Sequence, residues 1–184
     1  VPVVASQSDS NAVEVGVKFR SDVDGYITGL RFSTGNANTG THVGHLWTGA
    51  GALLATATFV NETPSGWQQV NFSAPVAITA NTTYVASYHT NVGGYSVSQN
   101  YFGSAGYDNP PLHALPNAAG GNGLYAYGAG SFPAQSYGAT NYWVDVLFSA
   151  SDQIPPNRSA IQASGITSRR APITWNTDEP TSRQ

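Results

Sequence analysis

Cysteine and methionine are both absent from the 184 residues. Without cysteine there is no disulfide framework, no thiolate metal centre and no cysteine nucleophile. A valine stands at position 1 and no basic-then-apolar leader follows it, which fits a mature chain whose signal segment has been removed. Charge is scarce: 9% of residues are charged, Lys18 is the single lysine, and six arginines stand against ten acids for a net charge of −3. That balance offers no polycationic footprint for nucleic acid or an anionic membrane. Apolar residues never run together for the roughly 20 positions of a membrane-spanning helix. A sustained helical period is missing too, because 20 glycines and 11 prolines interrupt nearly every stretch long enough to be a helix. No Gly-x-Ser-x-Gly elbow, phosphate-binding loop or dinucleotide fingerprint occurs, and nothing nominates a carboxylate pair for glycoside hydrolysis. The expectation is a protein that is not an enzyme.

What remains is strand chemistry. In Val13-Glu-Val-Gly-Val-Lys-Phe19, the residues Val13, Val15, Val17 and Phe19 face one way and Glu14, Gly16 and Lys18 the other. This is the period of two of a strand with one buried face. Further strands are predicted at Tyr26–Ser33, His42–Thr48, Leu53–Val60, Trp67–Phe72, Thr83–His89 and Asn141–Phe148, separated by turns such as Asp24-Gly25 and Pro64-Ser-Gly66. Leu30, Phe32, Val70, Phe72, Val144 and Phe148 are the core residues this alternation selects. Short strands at such spacing make an all-β, two-sheet antiparallel sandwich of jelly-roll type, with the first and last strands expected as neighbours.

Two regions break the rhythm. Residues 93–140 form a long insert rich in Gly, Tyr, Asn and Ser, a length that is unusual unless the segment is functional or folds on itself. Residues 1–150 are therefore assigned to the sandwich and 151–184 to a tail. The tail opens with a stiff Ser151-Asp-Gln-Ile-Pro-Pro156 linker and carries one short β-like run, Ile173–Trp175, too small for a core of its own.

The insert supplies the best candidates for binding. Tyrosines and a tryptophan lie there among amides, and sugars are read by aromatic platforms for their C–H faces plus hydrogen bonds for their hydroxyls. Tyr107, Asn109, Tyr125, Tyr127 and Trp143 are the candidate ligand-binding residues; the alternative is that such rings simply cover one sheet. His42, His89 and His113 would hold a transition metal if they converge, although no His-x-His or His-Glu-x-x-His spacing supports it and local hydrogen bonding is the competing role. Asp22, Asp24 and Asp108 sit in oxygen-rich turns suited to a structural calcium or, equally, to capping their own backbone.

Six motifs occur in an order that resembles a bacterial family, domain of unknown function 4082. They are Val15-Gly-Val-Lys-Phe-Arg-Ser-Asp-Val-Asp-Gly-Tyr-Ile-Thr-Gly-Leu-Arg-Phe32, Gly40-Thr-His-Val-Gly-His-Leu-Trp47, Gly66-Trp-Gln-Gln-Val-Asn-Phe72, Asn81-Thr-Thr-Tyr-Val-Ala-Ser-Tyr-His89, Pro111-Leu-His-Ala-Leu115 and Asn141-Tyr-Trp-Val-Asp-Val-Leu-Phe148. The resemblance implies a β-sandwich module of large secreted or cell-surface proteins, found beside fibronectin type III or immunoglobulin-like repeats and carbohydrate-active domains. The tail from Ala171 to Ser182 resembles the first strand of a fibronectin type III repeat. The expected function is a non-catalytic extracellular accessory module that binds a polysaccharide or surface glycan, beside neighbouring domains and without membrane insertion. The alternative is a structural subunit whose tail completes the open sheet edge of another copy.

Overall fold

Strict apolar alternation in the N-terminal half becomes strand in the computed structural model, which describes residues 1–150, 158–164 and 173–177. Every regular element among the described residues is a strand. The first seven are β1 (Val4–Gln7), β2 (Val13–Ser21), β3 (Gly25–Thr34), β4 (His42–Thr48), β5 (Leu53–Thr58), β6 (Gly66–Ile78) and β7 (Tyr84–Thr90). The insert contributes β8 (Tyr95–Val97), β9 (Tyr107–Asn109), β10 (Leu112–Ala114), β11 (Leu124–Tyr127) and β12 (Gln135–Ser136), followed by β13 (Val144–Ser149), β14 (Arg158–Ala163) and β15 (Ile173–Thr177). The chain divides into two compact units, Val1–Ser151 and Asp152–Gln184.

In the first unit the larger sheet runs β12-β11-β2-β7-β4-β5, with β10 also paired to β2 and β9 to β10; the smaller runs β13-β3-β6, and β1 pairs with β8. All pairings are antiparallel. The chain crosses repeatedly between sheets, from β2 to β3, back to β4 and β5, out to β6 and back to β7, as the jelly-roll expectation requires. One detail differs. The first long strand and the last are not neighbours: β13 pairs with β3 in the smaller sheet, while β2 lies in the larger one. Alternation assigns each strand a face, not a partner.

The core sits between the sheets. Val13, Val15, Val17 and Phe19 of β2 pack there with Ile27, Leu30 and Phe32 of β3, Phe72 of β6, Tyr88 of β7 and Val144 of β13. Phe32 stacks on Tyr88 at 4.3 Å and takes Phe59 edge-on at 4.7 Å. Val70 and Phe148 are half-buried against the same cluster.

The opposite face of the larger sheet is covered as well. Glu14 is fully buried instead of solvated, because the strap between Gly128 and Phe132 lies over it. Its Oε1 accepts the Ser87 hydroxyl at 2.5 Å and faces His45 Nδ1 at 3.0 Å. Trp47 Nε1 donates to the same Ser87 oxygen at 2.7 Å, and Phe132 packs edge-on against Trp47. Gly16 is needed beneath this network: a Cβ there would stand 2.8 Å from Ser87 Cβ and 2.7 Å from the Ala86 carbonyl oxygen.

The insert is stitched to one edge of β2. β11 pairs with Val13 to Gly16 and β10 with Phe19 to Ser21. The gap between them falls at Lys18, and the buried Asn122 amide fills it. Its Oδ1 accepts the Lys18 N–H at 2.9 Å, and its Nδ2 donates to the Lys18 and Leu115 carbonyls at 3.1 and 2.6 Å. A side chain thus replaces a peptide group in the ladder.

In the second unit β14 pairs with β15, with an irregularity between Ser159 and Gln162. The Ile173–Trp175 run therefore forms a strand whose ladder partner belongs to the same chain. The proposed 151–156 linker lies outside the described residues.

Replacing Asn122 by Ala removes the partners of the Lys18 and Gly123 N–H groups and of the Leu115 carbonyl. At about 1–3 kcal/mol for each buried group left unmade, the variant should lose on the order of 3 kcal/mol or more of stability in urea unfolding. An unchanged midpoint would mean that water replaces the amide without loss.

Candidate functional site

The period of two that turns Gln68, Val70 and Phe72 inward turns Trp67 outward, and it turns Arg31 and Asp145 out on neighbouring strands. Register sets Asp145 opposite Arg31 and Trp67 opposite Ser33. The Arg31 guanidinium lies 4.7 Å over the Trp67 ring. Its Nε and Nη2 both donate to Asp145 Oδ2, at 3.0 and 2.5 Å, while Asp145 Oδ1 accepts the Val146 N–H at 2.9 Å. With side chains 42% and 40% exposed, an ion pair of this kind adds about 1 kcal/mol at most to stability. Its effect is local: it fixes the charge and posture of one wall.

Trp143 enters from the residue before β13 with φ at +55°, a left-handed conformation in a bulky residue. That posture costs about 1 kcal/mol or more and is held by local bonds. The Trp143 N–H donates to Asn141 Oδ1 at 2.7 Å, its indole Nε1 to Ser98 Oγ at 3.0 Å, and its carbonyl accepts the Ser33 N–H at 2.9 Å. The ring is thereby set beside Trp67, 6.2 Å between centroids. Tyr101 follows at 6.0 Å from Trp143, and Tyr107 at 6.1 Å from Tyr101. Burial, then the neighbouring Tyr107, raises the Tyr101 hydroxyl above the usual tyrosine range.

These four rings border a cleft of about 420 Å³ beside β13, floored by Val17, Phe19, Leu112 and Val144 and lined also by Asn109, Asn141 and His113. Tyr107 and Asn109 reach it on the β9–β10 hairpin. His113 Nδ1 meets Asp108 Oδ1 at 2.6 Å within that hairpin, and Nε2 meets Asp22 Oδ2, at the end of β2, also at 2.6 Å. The ring accordingly clasps the hairpin to the larger sheet. Asp22 also receives Arg20 Nη1 at 3.2 Å.

Of the residues selected from sequence, Tyr107, Asn109 and Trp143 meet in this cleft. Tyr125 and Tyr127 do not. Their register opposite Val15 and Val13 carries them to the other end of β2, where Tyr125 packs on the core and the Tyr127 hydroxyl donates to Asp9 Oδ2 at 2.8 Å. That bond, followed by burial, raises the Tyr127 hydroxyl above its usual range.

The three histidines do not converge. His42 points into the core, its ring 4.7 Å from Phe32 and its Nδ1 2.9 Å from Glu62 Oε2. His89, registered to Val43 instead of His42, lies on the other face and meets the Gly128 carbonyl at 3.0 Å. His113 stands at the far end of β2, opposite Arg20. Among the described residues no group of three or more His, Asp and Glu side chains is arranged to hold a metal ion. Of the acids proposed for calcium, Asp22 and Asp108 flank His113, and Asp24 Oδ1 accepts the Ala80 N–H at 2.7 Å.

Sequence reasoning overlooked Trp67, Arg31 and Asp145 as site residues. The signal was present in the alternation itself, which turns all three to the outward face of the smaller sheet.

The fold and the site together define a β-sandwich module with an aromatic cleft at the margin of its smaller sheet. The chain belongs to the family described as domain of unknown function (DUF4082), whose sequence model matches residues 1–144. The matched stretch includes all four rings of the cleft and ends one residue before Asp145. No curated protein matches the chain.

Hydrogen bonds to Asp108 and then to Asp22 raise the His113 pKa above that of a free histidine. A raised value in the folded state means the imidazolium stabilises the fold. This contribution is complete below the unfolded pKa of about 6.5 and is lost as pH rises through the higher folded value. Urea unfolding between roughly pH 5 and 9 should therefore find the parent losing its advantage over His113→Gln as pH rises. Parallel pH profiles would show that the clasp does not depend on the ring's charge.

Proposed function

We propose that this chain is a non-catalytic extracellular module that binds glycans through the cleft beside β13. The observation that carries this reading is the consecutive set of four rings, Trp67, Trp143, Tyr101 and Tyr107, each about 6 Å from the next. Aromatic faces suit the C–H faces of sugar rings, and the Asn109 and Asn141 amides at the cleft suit their hydroxyls. Trp67 and Tyr107 are 46% and 56% exposed, more than packing needs and enough to stack on a ligand. The energetic cost built into Trp143 also favours a functional reading, because strained backbone clusters at binding sites.

The chemistry of the cleft supports binding over hydrolysis. Glycoside cleavage needs two carboxyl groups flanking the bond. Asp145 is the acid whose side chain lines the cleft among the described residues, and both its oxygens are engaged. Secretion fits the cysteine-free composition, the low charge and the extracellular setting that the family resemblance implies.

Glycan-array screening followed by calorimetry tests the proposal. A glycan that binds the parent should bind Trp67→Ala and Tyr107→Ala about tenfold more weakly each, equivalent to about 1.4 kcal/mol. The Tm of both variants should stay close to the parent's, since both rings are exposed. Full affinity in both variants would remove the cleft as the binding site.

A further inference from the structure

Which glycans such a cleft accepts depends on the charge it presents, and here that charge is cancelled in place. The charged side chains that line it are Arg31, Asp145 and His113. Arg31 gives two of its donors to one oxygen of Asp145 and lays its flat face on Trp67. Asp145 is pinned from the other side, because its second oxygen accepts the Val146 N–H. Arg31 keeps its Nη1 hydrogens for a ligand, but its charge is answered by Asp145, which cannot turn away without giving up a bond already made. His113 stands between Asp22 and Asp108, so its charge is answered twice.

An acidic sugar approaching Trp67 therefore meets a fixed carboxylate and no unpaired cationic side chain. An amino sugar meets a carboxylate whose oxygens are both engaged. A neutral sugar faces neither penalty, since hydroxyls can share partly used donors and acceptors without displacing an ion. Size adds a second constraint. Three consecutive ring-to-ring steps of 6.2, 6.0 and 6.1 Å offer more aromatic surface than one sugar ring can cover.

Resting on the glycan-binding reading of the same cleft, we infer that the ligand is an uncharged oligosaccharide of more than one unit, and that Asp145 is the residue that rejects acidic sugars. Arg31 is the other half of the same device: paired, it stacks and donates; unpaired, it would capture carboxylates.

Calorimetry on the full chain tests this with neutral gluco-, xylo- and galacto-oligosaccharides of increasing length, set against oligogalacturonates and chitosan oligomers. Affinity for a neutral series should rise with length and change little between roughly 20 and 500 mM salt, because no net ion pair forms. Acidic and amino oligomers should bind at least about tenfold more weakly. Asp145→Asn keeps an oxygen for the Val146 N–H and removes the charge. It should gain at least about tenfold for oligogalacturonates, in a salt-dependent manner. Arg31→Gln should instead leave the rejection of acidic sugars intact and improve chitosan binding. If the parent prefers an acidic oligomer, or if Asp145→Asn discriminates as the parent does, the inference falls while the glycan site stands. If no oligomer of any charge binds the parent, the glycan-binding reading itself falls.

Discussion

One edge of β2 has to be hydrogen-bonded along its whole length, and that requirement organises the rest of the molecule. The strand is buried on both faces over Val13–Val17, so an unpaired peptide group there has no water to turn to. β7 satisfies one edge. The other is satisfied in pieces by an insert that contains no long strand, with β11 at one end, β10 at the other and the Asn122 amide between them. Once this edge is closed, the positions of β9 and β10 follow, and with them Tyr107, Asn109 and His113. The site is thus a consequence of how a glycine-rich insert completes a sheet.

The cleft brings together two kinds of support. The smaller sheet supplies Arg31, Trp67 and Asp145 from regular strands whose register fixes their spacing. The insert and the approach to β13 supply Tyr101, Tyr107 and Trp143 from irregular backbone. Trp143 links the two, since its amide, carbonyl and indole are each tied to a different segment. Rigid, charge-balanced groups on one side and loop-borne rings on the other suit recognition of a ligand by shape and stacking.

The alternating strands were the legible part of the sequence. Val15, Val17, Phe19, Leu30 and Phe32 lie in the core because a period of two leaves them no other face. The same rule sends Trp67, Arg31 and Asp145 outward, which makes them the site residues that simple pattern reading could have added. Glu14 illustrates where pattern runs out. Alternation places it opposite the core, but only the strap after Gly128, more than a hundred residues later, decides that this face is dry. Tyr125 and Tyr127 lie away from the cleft for a related reason: composition cannot tell which end of β2 a short strand will join. The histidines separate because adjacent register positions point to opposite faces, a difference of one residue that sequence spacing does not reveal. Asn122 carries no signal of its own, since an asparagine in a glycine-rich stretch reads as a turn.

Arg31 and Asp145 are 114 residues apart in the chain, and that distance has a kinetic meaning. β3 can pair with β6 early, but its other edge stays open until β13 arrives, and closing so long a loop is paid for before any contact rewards it. In the finished fold β13 closes the sheet, completes the ion pair and brings Trp143 beside Trp67. The cleft is therefore completed only with the last strand of the sandwich: a chain interrupted before it would lack Asp145 and the wall that β13 forms.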